Sequence, residues 1–220
     1  MSLSSLRREA RKALNGKWGN AVFLILVYAL VTMVVPFGVE VVFSGGWEAW
    51  LYQETVPASA SIVSMFVSFA LIPLSVVLYW VFLDAYRNEP IRIAPLFTVY
   101  QNGKLALKLI GTSLLFGLFV FLWSLLLIIP GIIKSLSYSQ TFFLLKDHPE
   151  YSALQAISES KKRMKGYKGK LFLLYLSFIG WGLLSMLTFG IGFLWLVPYI
   201  YTSLAAFYDQ FIRTQEAPAE

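Results

Sequence analysis

Long apolar runs without period-2 alternation dominate this chain, and they predict helices rather than strands. The first run is Ala21 to Val39 and the second is Ile62 to Leu83. Leu105 to Leu145 is a single run, too long for one helical crossing of a bilayer and right for two. Leu171 to Phe189 and Phe193 to Phe211 complete the series. A helix of about 20 apolar residues spans roughly 30 Å of hydrocarbon. The pattern therefore predicts an all-α membrane protein with six transmembrane helices. Closed β-barrels are the other way to satisfy every backbone group in lipid, but these runs lack the alternation a barrel needs. The first run is too long for a typical signal core, and Ala58-Ser59-Ala60 lies too far downstream to be its cleavage site, so it reads as a retained span.

Amphipathic segments separate the runs. Leu3, Leu6, Ala10 and Leu14 share one helical face, ringed by Arg7, Arg8, Arg11 and Lys12. Tyr151, Leu154, Ile157 and Met164 do the same ahead of Lys165 to Lys170, and Ile93 to Tyr100 is a weaker version interrupted by Pro95. These segments predict interfacial amphipathic helices on one side of the membrane.

The order of these parts repeats. A Gly-Lys step opens three apolar segments, at Gly16-Lys17-Trp18, Gly103-Lys104-Leu105 and Gly169-Lys170-Leu171. A proline within a branched apolar run marks each partner: Pro73, Pro130 and Pro198. The chain reads as one polytopic membrane domain, 1–220, built of three tandem hairpins with units near 3–87, 92–147 and 150–213. Parallel repeats of this kind predict a pseudo-threefold axis along the membrane normal. Aligning the last two units puts the central turn near Trp123-Ser124, giving helices Leu105 to Leu122 and Leu125 to Lys146. Local turn chemistry instead favours Pro130-Gly131.

Charge placement adds orientation. Of 18 lysines and arginines, all but Lys134 fall in the N-terminal arm, the second and fourth loops with their flanking helix ends, and the tail. The opposite loops hold none, but do carry Glu48 and Glu54, with Glu40 near that boundary. The positive-inside rule then puts both termini in the cytoplasm, and six crossings satisfy that parity. Composition agrees with lipid as the solvent: 58% of the 220 residues are hydrophobic, 14% are charged, and mean hydropathy is +0.67. The net charge of +6 sits at one leaflet, which points to anionic lipid headgroups as partners and excludes nucleic acid, for which no groove-reading or stacking motif is present.

Candidate chemistry is sparse. With no cysteine and one histidine, His148, a thiolate site, a cysteine nucleophile or a multi-histidine metal site is excluded; no cofactor is implied. His148, beside Pro149, reads as structural. No phosphate loop or catalytic set appears, so the chain reads as a non-enzyme. Polar residues inside the apolar runs remain. Under the chosen turn, Lys134 lies near the bilayer centre, where an ionisable group is a functional hypothesis by default; under the other, it snorkels to the outer headgroups. Glu40 is a conceivable outer partner. Lys134, Tyr138 and Thr141 share a face at i, i+4, i+7. Eleven residues beyond each proline stand Asp84, Thr141 and Asp209, either the mouth of a cavity or the points where helices leave lipid and meet Arg87 and Arg213. Lys134, Tyr138, Thr141, Asp84 and Asp209 are thus the candidate ligand-binding residues. Small residues at four-residue spacing, Ala60-Ser64-Ser68 and Ser113-Gly117, mark helix contacts.

The block Leu122 to Lys134, followed by Ser137-Tyr138, resembles the signature of a family of bacterial integral membrane proteins known as domain of unknown function 975. Asp147 to Glu150, Lys165-Gly166-Tyr167-Lys168, Ser177 to Trp181 and Gly190 to Tyr199 are similar to later blocks of that family. A looser similarity runs to the membrane domain attached to some glycerophosphodiester phosphodiesterases. The resemblance implies a bacterial plasma-membrane home and supplies no activity or site residues. The residues themselves suggest a protein that binds or passes a lipid or other amphipathic molecule. The alternatives are a scaffold or immunity-type protein acting through membrane partners or as a homo-oligomer, and a solute channel.

Overall fold

The Ser2 hydroxyl accepts the Ser5 amide at 3.3 Å and starts the first helix. The computed structural model describes residues 2–53 and 55–216. Its helices are α1 (Leu3–Leu14), α2 (Trp18–Phe43), a short α3 (Trp47–Tyr52), α4 (Ala58–Ala70) and α5 (Ile72–Tyr86). A brief α6 (Ala94–Thr98) runs into a 3-10 turn, Val99–Gln101. The long central run becomes α7 (Gly103–Leu126), α8 (Ile128–Tyr138) and α9 (Thr141–Asp147). Then come α10 (Ala153–Arg163), α11 (Lys168–Leu187) and α12 (Phe193–Phe211). No strand occurs among the described residues, and Glu54 of the predicted outer loop lies outside them.

Four stretches are long and apolar enough to cross a membrane: Trp18–Phe43, Ala58–Tyr86, Gly103–Leu126 and Lys168–Leu187. Only 11% of the most apolar window of the first is buried in the protein. Water does not tolerate such continuous exposed apolar surface, and lipid does. The chain is an all-helical, membrane-embedded protein.

The central turn falls at neither expected place. It lies at Leu127, whose extended backbone (φ −164°, ψ 150°) separates α7 from α8. Pro130 is the third residue of α8, where its missing N–H leaves no helical bond unmade. Gly131 lets the two helices close: a Cβ there would stand 3.0 Å from Ser124 Cα. The α11–α12 turn closes in the same way, since a Cβ on Gly192 would stand 2.8 Å from Ser185 Cα. Each glycine lies seven residues after its serine.

The three prolines occupy different helix positions. Pro73 is second in α5, just beyond a break at Leu71; Pro130 is in the first turn of α8; Pro198 is inside α12. A kink or break is therefore tied to Pro73, where the ring crowds the Phe69 carbonyl, but not to Pro130.

The expected continuous helix Leu125 to Lys146 is instead broken at Ser139-Gln140. Ser160 of α10 fills the break. Its hydroxyl accepts the Gln140 amide at 3.2 Å and donates to the Ser137 carbonyl at 2.9 Å, both buried. One side chain thus satisfies an amide and a carbonyl at the interruption. In α10 the buried residues are Ala156, Ile157, Ser160 and Arg163, with Met164 just beyond, while the predicted Leu154 is exposed.

Helix α5 sits between two apolar cores. Leu74, Val77, Leu78, Val81 and Phe82 pack with Leu24 of α2 and Leu109 of α7. Leu83 joins Leu6 of α1, Phe143 and Leu144 of α9, Leu171 and Leu174 of α11, and Phe207 and Tyr208 of α12. Helix α1 therefore buries Leu6, Ala10 and Leu14 against the bundle rather than against lipid.

Candidate functional site

The five residues singled out by the sequence are not gathered at one place. Helix α8 ends at Tyr138, so the Lys134–Tyr138–Thr141 face is not continuous. The Lys134 ammonium lies 4.0 Å from the centroid of the Trp123 ring, and the like charges it feels are Lys161 and Lys168. It does not meet Glu40, which accepts the Trp50 indole N–H at 2.9 Å. Tyr138 packs against Phe116 and Phe119. Thr141 is buried and donates to the Tyr138 carbonyl at 2.6 Å. A cavity of about 320 Å³ lies beside this stretch, lined by Ser135, Ser139, Tyr79 and Tyr175, with Lys134 outside its lining.

Both aspartates enter ion pairs: Asp209 meets Arg213 as the sequence indicated, and the other partners differ. Asp84 pairs with Lys146, not Arg87. Asp209 accepts from Arg87 at 2.9 Å and from Arg213 at 2.8 Å. Arg87 also holds Asp147 with two parallel bonds of 2.7 and 2.6 Å, and Tyr208 donates to Asp147 at 3.0 Å. This chain of alternating charges ties the ends of α5, α9 and α12. The Asp147 bonds raise the Arg87 pKa above its ordinary value against the opposing effect of burial, and the Asp209 bonds add to it. Burial pushes the Asp147 carboxyl up, but the Arg87 bonds and charge, with the Tyr208 hydroxyl, hold it below the ordinary value. Such a set is neutralised and internally bonded, which suits joining helices better than ligand capture. His148 stacks on Tyr151 at 4.5 Å and lies 3.0 Å from Glu150, a turn-stabilising arrangement.

A different site was missed. Between α1, the start of α2 and the α11–α12 hairpin lies a groove of about 470 Å³, within the size range of ligand pockets. Arg7 and Arg11, one turn apart on α1, form its floor. Trp18, Trp181, Leu184, Trp195, Leu196 and Tyr199 form its walls. Arg11 stands 5.7 Å from the Tyr199 ring centroid. The Arg7 Nε is buried without a hydrogen-bond partner. Among the described residues no carboxylate pairs with either arginine. Glu9, the acid of α1, faces away and is held by Tyr86 (3.0 Å) and Gln210. The hydroxyls of the groove are already used: Ser185 donates to the Trp181 carbonyl and Thr188 to the Ser185 carbonyl, each at 2.8 Å. Two guanidiniums under a tryptophan wall are what the groove offers chemically. The available signal was the i, i+4 pair Arg7 and Arg11 followed seven residues on by Trp18; the arginines were read as the rim of an interfacial helix and as a mark of orientation, not as a site.

Comparison with known proteins gives one positive result. No curated protein and no solved structure gives a significant match, and the looser similarity to the glycerophosphodiester phosphodiesterase membrane domain finds no support. One family model, described as "Protein of unknown function (DUF975)", matches residues 1–137 and 124–215. Those segments together run from α1 through α12, so the chain belongs to DUF975.

Proposed function

We propose that this chain is a non-enzymatic protein of a bacterial plasma membrane that binds or passes a lipid or other amphipathic molecule. The observation that carries the reading is the groove, where Arg7 and Arg11 lack acid partners among the described residues and lie beside an apolar wall. A cationic floor with apolar sides fits a molecule that is polar at one end and oily along the rest. The non-enzymatic part rests on sequence chemistry, namely the absence of cysteine and a single histidine.

In this reading the chain crosses six times with both ends in the cytoplasm. Four crossings are the long apolar stretches, of which Ala58–Tyr86 is broken at Leu71; α8 with α9 makes a fifth, broken at Ser139-Gln140, and α12 the sixth. The matched serine–glycine closures of the α7–α8 and α11–α12 turns support a repeat of hairpins. The contact of Glu9 in α1 with Tyr86 and Gln210 supports one shared side for α1 and the ends of α5 and α12.

The test is native mass spectrometry of the detergent-purified protein from wild type, Arg7→Gln/Arg11→Gln and Lys134→Ala. Wild type and Lys134→Ala retain bound lipid, and the double arginine variant loses it. Identical, featureless lipid content in wild type and the arginine variant overturns the reading.

A scaffold role stands second. Its seam Ala60-Ser64-Ser68 is taken up internally, since Ser64 donates to the Pro36 carbonyl of α2 at 3.3 Å. Ser113 and Gly117 on α7 remain: nothing lies within 4 Å of where a Gly117 Cβ would stand. Crosslinking from Gly117→Cys in native membranes to a single discrete partner would favour this role over lipid binding.

A further inference from the structure

We infer that the groove between α1 and the α11–α12 hairpin is a site for one anionic phospholipid of the leaflet next to α1, its phosphate held between Arg7 and Arg11. This rests on the lipid-binding reading above and narrows it to a headgroup class. Among the described residues neither arginine has a paired carboxylate, whereas Arg87, Lys146, Lys162 and Arg213 all stand in ion pairs. Like charges one helical turn apart repel, and an anion placed between them removes that repulsion. The planar guanidinium fork matches phosphate geometry, and the buried Arg7 Nε has lost water without gaining an acceptor.

Lining chemistry decides the class of phosphate. A zwitterionic headgroup carries its own cation, which wants a carboxylate or an aromatic cage beside it. The groove lining contains no acid, and Glu9 is turned away and occupied. The aromatic wall near Arg11 already receives a cation, since Tyr199 carries Arg11 itself. An acidic headgroup without a compensating ammonium therefore fits, and a zwitterionic one leaves its cation beside two arginines. Trp195 and Leu184 are half exposed along the groove, which provides a track for an acyl chain but nothing for a water-soluble ester. The volume of about 470 Å³ admits one lipid rather than a shell of them.

The experiment uses the full-length protein in nanodiscs of phosphatidylcholine doped with phosphatidylglycerol, and lipid retention is read by native mass spectrometry after release into detergent. Wild type retains one phosphatidylglycerol with at least a tenfold preference over phosphatidylcholine. Arg7→Gln/Arg11→Gln brings the preference to within twofold, and Arg7→Lys/Arg11→Lys keeps part of it. Lys104→Gln, which removes an exposed basic residue outside the groove, leaves the preference unchanged. Glycerol phosphate at millimolar concentration does not displace the lipid. Equal retention of both lipids by wild type overturns the headgroup assignment while lipid binding survives; no retention of either lipid overturns both. A Lys104→Gln loss equal to that of the arginine pair, or full displacement by glycerol phosphate, also overturns it. Should the double variant fail to fold, Arg11→Gln, whose side chain is on the surface, decides the same question.

Discussion

Replacing Arg87 by Gln removes the one cation that bridges Asp147 and Asp209. The side chains of Arg87, Asp147 and Asp209 are 26%, 16% and 15% exposed, so the two carboxylates are left facing each other with little water. Breaking a buried pair from one side costs about 3–5 kcal/mol, and the residual exposure points to the lower end, about 3 kcal/mol. At about 2–4 °C per kcal/mol for a chain of this size, thermal unfolding in detergent moves down by about 6–12 °C. Arg213→Gln, at a side chain 49% exposed, costs under about 1 kcal/mol by the same reasoning. The triple variant Arg87→Gln/Asp147→Asn/Asp209→Asn replaces the charges with hydrogen-bonding neutral groups and returns to within about 1 kcal/mol of wild type. The assay is fluorescence-detected size-exclusion thermostability. Acidity supplies a second arm. Asp147 titrates below its ordinary value of about 3.9 in the folded state. Its contribution is therefore complete above about pH 4 and is lost as pH falls through the lower folded value. Without Arg87 the same carboxyl is raised by burial and by Asp209, so acid stabilises the variant relative to wild type, and the gap narrows below about pH 5. An Arg87→Gln shift no larger than that of Arg213→Gln, or a triple variant as unstable as the single one, refutes the account of this cluster.

Three further outcomes follow from other parts of the fold. Gly131→Ala and Gly192→Ala each force a methyl into the Ser124 or Ser185 backbone and cost about 1–3 kcal/mol, read as loss of monodisperse protein on size exclusion, whereas Gly117→Ala, in open space, is neutral. Ser160→Ala leaves the buried Gln140 amide and Ser137 carbonyl without their partner and costs about 1–3 kcal/mol; Ser160→Thr retains most of the stability if its methyl is accommodated. The chain is free of cysteine, so single cysteines report topology without background: Ser44→Cys labels with an impermeant maleimide in intact cells, and Ser152→Cys labels only after lysis. Labelling of Ser152→Cys from outside overturns the orientation.

The helices were legible where periodicity and length decide, and illegible where a side chain from elsewhere in the chain intervenes. Phe193–Phe211 has the expected helix bounds, with Gly190 and Gly192 before it and a polar tail from Arg213 after it. The break at Ser139-Gln140 was not foreseen, because the polar run from Ser135 to Thr141 suits a helix facing a cavity as well as an interruption. What selects the interruption is Ser160, 20 residues on, which supplies a donor and an acceptor where the helix gives up its own. Helix bonding within the run cannot reveal that, since the compensating group belongs to another element. The turn at Leu127 is a milder case. Both expected positions treated Pro130-Gly131 or the repeat spacing as decisive. Helix starts tolerate proline, and the glycine serves a close approach to Ser124 rather than a positive φ.

Lys134 drew attention as the cation deepest within an apolar run, yet isolation in sequence is a poor guide to an unmet charge. Its neighbour in space is the Trp123 ring, supplied by the preceding helix eleven residues back. Arg7 and Arg11 sit in a crowded basic arm where Glu9 is two residues from each, which makes them read as already balanced. Helical geometry says otherwise. Residues two apart lie about 200° around the axis, so Glu9 serves the opposite face, and positions three and four away from Arg7 and Arg11 hold no acid. On a free interfacial helix that imbalance means little, because water and mobile ions screen both faces. It acquires consequence once Leu6, Ala10 and Leu14 are buried and the helix cannot turn. The arginine face is then fixed toward the α11–α12 wall, Glu9 is fixed toward Tyr86 and Gln210, and none of the described residues offers the groove a counter-charge.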